Sequence, residues 1–91
     1  MTYTATFSNG QTITRNSERT YTFAWAVFRN DGSILESGFA ADIEKAGRAA
    51  RSLVSYFTRT HLSPAHPRYK QVKKKNDELR AELKTEIVEI S

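Results

Sequence analysis

Two histidines, His61 and His66, stand five residues apart across a proline-containing stretch, Leu62-Ser-Pro-Ala-His-Pro, and are the first candidates for metal chemistry in this 91-residue chain. No third ligand lies near them, and the chain has no cysteine, so a thiolate metal site, a cysteine nucleophile and a disulfide framework fall away together. The histidines read as solvated or hydrogen-bonded members of a loop. Gly10, Gly32, Gly38 and Gly47 do not cluster, which leaves no loop of converging backbone N–H groups to cradle a phosphate. Serine, histidine and acidic residues occur, but their order does not mark a nucleophile beside its base. The chemistry-bearing residues therefore point to a protein that is not an enzyme, with no metal and no cofactor.

Charge is the stronger signal. The chain carries a formal +4, and residues 68–75 hold five bases (Arg68, Lys70, Lys73, Lys74, Lys75) and no acid, whereas residues 76–91 hold five acids against Arg80 and Lys84. Fixed positive charge concentrates phosphate groups around it, which makes nucleic acid a candidate partner. On one helix this order runs against the macrodipole, with bases at its positive end and acids at its negative end. An antiparallel second copy, a different partner, or bound phosphate would compensate.

The elements that hold these residues follow from turn chemistry and periodicity. Through the first forty residues apolar positions alternate, with Thr, Tyr, Phe, Val and Trp frequent, which is the pattern of strands. Ser8-Asn9-Gly10 and Asn30-Asp31-Gly32 read as three-residue hairpin loops with the glycine in the left-handed position. The first places Phe7 opposite Gln11 and Ala5 opposite Ile13. The second pairs Val27 with Leu35, Trp25 with Ser37 and Phe23 with Phe39. One sheet face then carries Tyr3, Phe7, Ile13, Tyr21, Phe23, Trp25, Val27, Leu35 and Phe39. Phe28 and Ile34 fall together on the other face, where either the chain itself or a partner must cover them.

Asp42 is the expected N-cap of a helix running to about Thr60. Its apolar arc holds Ile43, Ala46, Gly47, Ala50, Leu53, Val54 and Phe57, and Arg48, Arg51, Ser52, Ser55 and Arg59 lie opposite. Prolines 64 and 67 break it. From Pro67 a second helix can run to about Ile90, with Tyr69, Asn76, Leu83 and Ile90 at a and Val72, Leu79 and Glu86 at d of a heptad. Thr85-Glu-Ile-Val-Glu-Ile is rich in β-branched residues, so a terminal strand is the alternative. The fold expected is one α+β domain, an antiparallel β-meander of three to four strands followed by two helices. Its segments are 1–62 (meander and first helix), 63–67 (linker) and 68–91 (charged helix). No segment has the ~18 apolar residues of a spanning helix, and Met1 to Ser8 lacks a basic region followed by an apolar run, so a cytoplasmic protein away from membranes is expected.

The hairpin and Ala- and Arg-rich helix from Tyr21 to Phe57 resemble the arm-binding domains at the start of phage integrases, although the strand before the turn has few bases with which to read a groove. In size, absence of cysteine and Thr-rich meander the chain also resembles small phage-encoded accessory proteins, anti-CRISPR and other host-defence inhibitors among them. That resemblance implies an RNA-guided effector complex as target, with the basic tail touching bound nucleic acid as well as protein.

The leading expectation is an interaction protein that binds and inhibits or modulates a protein or protein complex. Its surfaces would be Phe28 and Ile34, and a helix seam of Val72, Asn76, Leu79 and Leu83 that could also form a weak homodimer. The alternative is a nucleic-acid-binding module using Arg48, Arg51, Arg59, Lys73, Lys74 and Lys75.

Overall fold

The computed structural model describes residues 1–90. Its elements run β1 (Thr2–Thr6), β2 (Thr12–Asn16), β3 (Phe23–Phe28), β4 (Ile34–Ala40), α1 (Ile43–Thr58), α2 (Tyr69–Glu82) and β5 (Lys84–Glu89). The fold is α+β, with antiparallel strands and two helices. It departs from a continuous meander in two ways. β1 and β2 form their own two-stranded sheet, and the second sheet has the order β4-β3-β5.

Both hairpin loops take the expected form. Gly10 and Gly32 have φ of 87° and 86°, a region where a Cβ would be strained, and Phe7 N–H donates to Gln11 O as Arg29 N–H does to Ser33 O. In the second loop the Asp31 carboxylate accepts from both the N–H and the hydroxyl of Ser33 at 2.9 and 2.6 Å. The Ser33 hydroxyl, the Ser33 N–H and the Arg29 charge together hold its pKa below the ordinary 3.8.

Register beyond the second loop differs from the expected pairing. Phe28 pairs with Ile34, but a bulge between Val27 and Phe28 leaves Leu35 extra, so Val27 faces Glu36, Trp25 faces Gly38 and Ala24 faces Phe39. The shift has a packing reason. The Trp25 ring lies over Gly38, where a Cβ would sit 2.8 Å from the indole nitrogen. Ser37 in that place would collide with the ring.

The C-terminal residues form a strand, not the end of a helix, so the expected charged helix over 68–91 becomes α2 plus β5, and Ser91 lies outside the described residues. β5 pairs with β3 along its length, from Phe28 opposite Lys84 to Phe23 opposite Glu89. Extended backbone sends successive side chains to opposite faces. Ile87 therefore meets α1 at Gly47, while Val88 and Ile90 join the cluster under the first hairpin. As helix, the same residues would gain no second layer to bury them.

The sheet β4-β3-β5 is thus a middle layer. On one side α1 packs against all three of its strands through the small residues Ala46, Gly47 and Ala50, all buried. Asp42 caps α1, its carboxylate accepting from Lys45 N–H at 2.8 Å. On the other side the β1–β2 hairpin covers Ala24, Ala26 and Phe28 with Ala5, Phe7 and Ile13. Phe28, expected on the face that either the chain or a partner covers, is 8% exposed and meets Phe7 edge-on at 5.5 Å. Ile34 packs against the same cluster. Of the two covers expected for this pair, the chain's own β1–β2 hairpin is the one present, and it occupies the surface that a partner would have used.

Phe57 departs in the opposite direction. Expected in the core, it is 42% exposed, because the last turn of α1 lies beside the β3–β4 loop and the end of α2 and not over the middle of the sheet. These two phenylalanines should respond differently to truncation. Phe28→Ala is expected to cost about 3–5 kcal/mol, and Phe57→Ala only about 1 kcal/mol. Urea denaturation of the two variants measures the difference, and equal losses would mean that the layer order is wrong.

Candidate functional site: an arginine face and a basic arm

α2 packs against α1 and buries none of its residues. Tyr69, Val72, Asn76 and Leu83 are half-buried, so the seam expected to bind another molecule lies against the chain itself. Asn76 fastens it, its amide donating to Arg59 O at 3.3 Å and to Thr60 Oγ1 at 3.2 Å. Val72 borders Phe57, Leu62 and the two histidines. Leu79 stays 37% exposed. With β5 removed from the helix, the heptad also loses Glu86 and Ile90.

The loop before α2 and the helix itself form an arm. The molecule measures 51 × 25 × 18 Å, with a radius of gyration of 15.5 Å. A compact chain of this length would have about 12 Å. Residues 59–75 contribute Arg59, Arg68, Lys70, Lys73, Lys74 and Lys75 to this arm and no acid. The histidines serve its geometry. His66 Nδ1 accepts from Arg68 N–H at 3.0 Å where α2 begins, and Arg59 donates to His61 Nδ1 at 3.5 Å.

The outward side of α1 is the second charged surface. Arg48, Arg51, Ser52, Ser55, Tyr56 and Arg59 line a shallow concavity of about 350 Å³. Their spacing explains the convergence. Arg48, Ser52, Tyr56 and Arg59 follow at four, four and three residues, and Arg51, Ser55 and Arg59 at four and four, which places them on adjacent stripes of one helix face. From α2, Arg80 reaches across to donate to Ser55 Oγ at 3.1 Å. Arg51 folds back over Gly47, its Nη1 2.9 Å from where a Cβ would stand.

Among the described residues no carboxylate lies within ion-pair distance of these four arginines, and the ion pair present is Lys73–Asp77 at 2.9 Å. That carboxylate holds the Lys73 ammonium above its ordinary 10.5. The concavity offers guanidinium and hydroxyl groups, donors suited to an oxyanion such as phosphate. Of the bases expected to act together, Arg48, Arg51 and Arg59 are gathered here. Lys73, Lys74 and Lys75 stand on the arm, where Lys73 and Lys74 sit with Lys70, Asp77 and Glu78.

Two members of the face escaped the sequence reading. Tyr56 lies four residues after Ser52 and eight after Arg48, which is the signal for its place on this face, but an aromatic type among polar positions does not by itself mark an anion-binding surface. Arg80 belongs to another helix, and nothing local indicates that it reaches Ser55.

A helix of 14 residues with no buried side chain depends on its few fastenings. Asn76→Ala should remove two hydrogen bonds, worth about 1 kcal/mol in all. The expected result is faster amide exchange across residues 69–82 with exchange in β3 unchanged. Unaltered protection in α2 would show that apolar contacts alone hold the arm.

No protein-family model, curated protein or solved structure matches this chain.

Proposed function

We propose that this protein is a non-enzymatic nucleic-acid-binding domain that holds the phosphate backbone on the outer face of α1 and against the basic arm. The observation that carries the reading is the gathering of Arg48, Arg51, Arg59 and Arg80 around Ser55 with no carboxylate in ion-pair distance among the described residues. Guanidinium groups left without an acid keep their charge and the donors not used on Ser55 and His61 for phosphate, and burying none of them avoids a desolvation cost. Lys74 and Lys75 extend the positive surface along the arm. From Arg48 to Arg59 the helix rises about 16 Å, enough to follow several phosphates of one strand.

A second reading keeps a protein as the partner. Leu35, Phe57, Leu79 and Leu83 line a recess of about 490 Å³ rimmed by Arg29, Asp31 and Glu82, and its two exposed apolar side chains could take a partner's anchor. An inhibitor of an RNA-guided complex would meet both kinds of surface, since such a complex carries nucleic acid held in protein.

Salt separates the two. With about four phosphates neutralised, log affinity should fall with log salt at a slope of about −2.8 to −3.6, or about 50- to 150-fold between roughly 50 and 200 mM. Arg51→Ala with Arg59→Ala should reduce that slope by about 1.5 to 2 while leaving the melting temperature nearly unchanged. Fluorescence anisotropy with a labelled oligonucleotide at several salt concentrations measures both. An unchanged slope in the double variant would remove the α1 face from the interface.

A further inference from the structure

Tyr56 is the one aromatic residue within the arginine face, and its position asks for an explanation. It is 63% exposed and lines the same concavity as Arg48, Arg51 and Arg59. Solvent-facing positions on a helix are ordinarily polar, and the rest of this concavity is arginine and serine. The ring is also braced. Phe57 meets it edge-on at 5.6 Å with an interplanar angle of 83°, which restricts it more than an isolated surface tyrosine would be.

Backbone contacts alone need no aromatic group. A phosphate clamp requires cations and N–H or O–H donors, which Arg48, Arg51, Ser52, Ser55, Arg59 and Arg80 already supply. An exposed ring set among arginines adds a flat apolar face beside the anchored phosphates. In a duplex the base faces are stacked on one another and cannot reach such a ring. In a single strand they can, and stacking on an aromatic side chain is the common mode by which basic surfaces hold single strands.

Resting on the polyanion reading of this face, we infer that its ligand is single-stranded nucleic acid, held by its phosphates on Arg48, Arg51, Arg59 and Arg80 and by one base stacked on Tyr56. Recognition of this kind tolerates any base, because every base has a π face. Binding is therefore indifferent to sequence and selective for strandedness.

The experiment is anisotropy at fixed salt with three probes of equal length: a single-stranded oligonucleotide, its duplex, and an abasic strand that keeps the phosphates and lacks the bases. Wild type should prefer the single strand. Tyr56→Ala should weaken single-strand binding about tenfold, leave the duplex and abasic strand within about twofold, and leave the salt slope unchanged. Tyr56→Phe should restore binding. Because Tyr56 is exposed, both variants should keep the wild-type melting temperature, which circular dichroism checks. Equal losses for all three probes, or a wild type that holds the duplex as tightly as the single strand, would overturn the stacking role while the phosphate reading stands. Failure to bind any of the three would overturn both.

Discussion

Strand β3 is buried from Ala26 to Phe28 and carries a neighbour on each edge, and the rest of the architecture follows from how its second edge is satisfied. Unpaired backbone N–H and C=O groups cannot be left in such a setting. The hairpin partner β4 takes one edge. The other is taken not by the preceding strand but by the last one, β5, which must return from beyond both helices to lie antiparallel along β3. That demand frees the β1–β2 hairpin to fold over the sheet as a separate layer. Ala24 and Ala26, both fully buried, let its Ala5 and Phe7 approach closely.

The same demand shapes the arm. α1 runs from the end of β4 back along the sheet and finishes near the β3–β4 loop, the end of the sheet where β5 has to begin. Between Thr58 and Lys84 the chain has no sheet left to cover, so it travels outward and returns. The outward part carries prolines and histidines, and the returning part is α2. Sparse apolar content is then expected of α2, since only its α1-facing stripe meets protein. A helix in this position has surface to spare, and here the surface is lysine-rich toward the tip.

Electrostatics and stability are divided between different parts of the molecule. The layers around β3 hold the fold with apolar contacts and ladder hydrogen bonds, and the buried polar side chain there, Thr58, is satisfied by Val54 O at 2.6 Å. The arginines sit on the solvent side of α1, where mutual repulsion is softened by water and salt. A charged ligand could bind there without disturbing the core, because these side chains are exposed and their hydrogen bonds run to the exposed residues Ser55 and His61.

Local rules were enough to read the α+β class, both glycine loops, the Asp42 cap, the first helix and the arginine arc, since each depends on neighbours within a few residues. The register beyond the second loop was not readable, because the bulge that sets Gly38 under Trp25 is decided by a ring packing across strands. As a local pattern residues 85–90 continue a heptad and alternate only imperfectly as a strand, with β-branched content as the one signal for the strand. Only the vacant edge of β3, with an apolar layer on each side for Ile87 and Val88, makes the strand the better burial. What covers Phe28 and what leaves Phe57 open were undecided locally for the same kind of reason: a side chain's face is set by periodicity, but what lies against that face is set by the path of distant segments. Arg80 joining Ser55 is another such case, two residues twenty-five apart in sequence whose contact exists only because α2 returns along the end of α1.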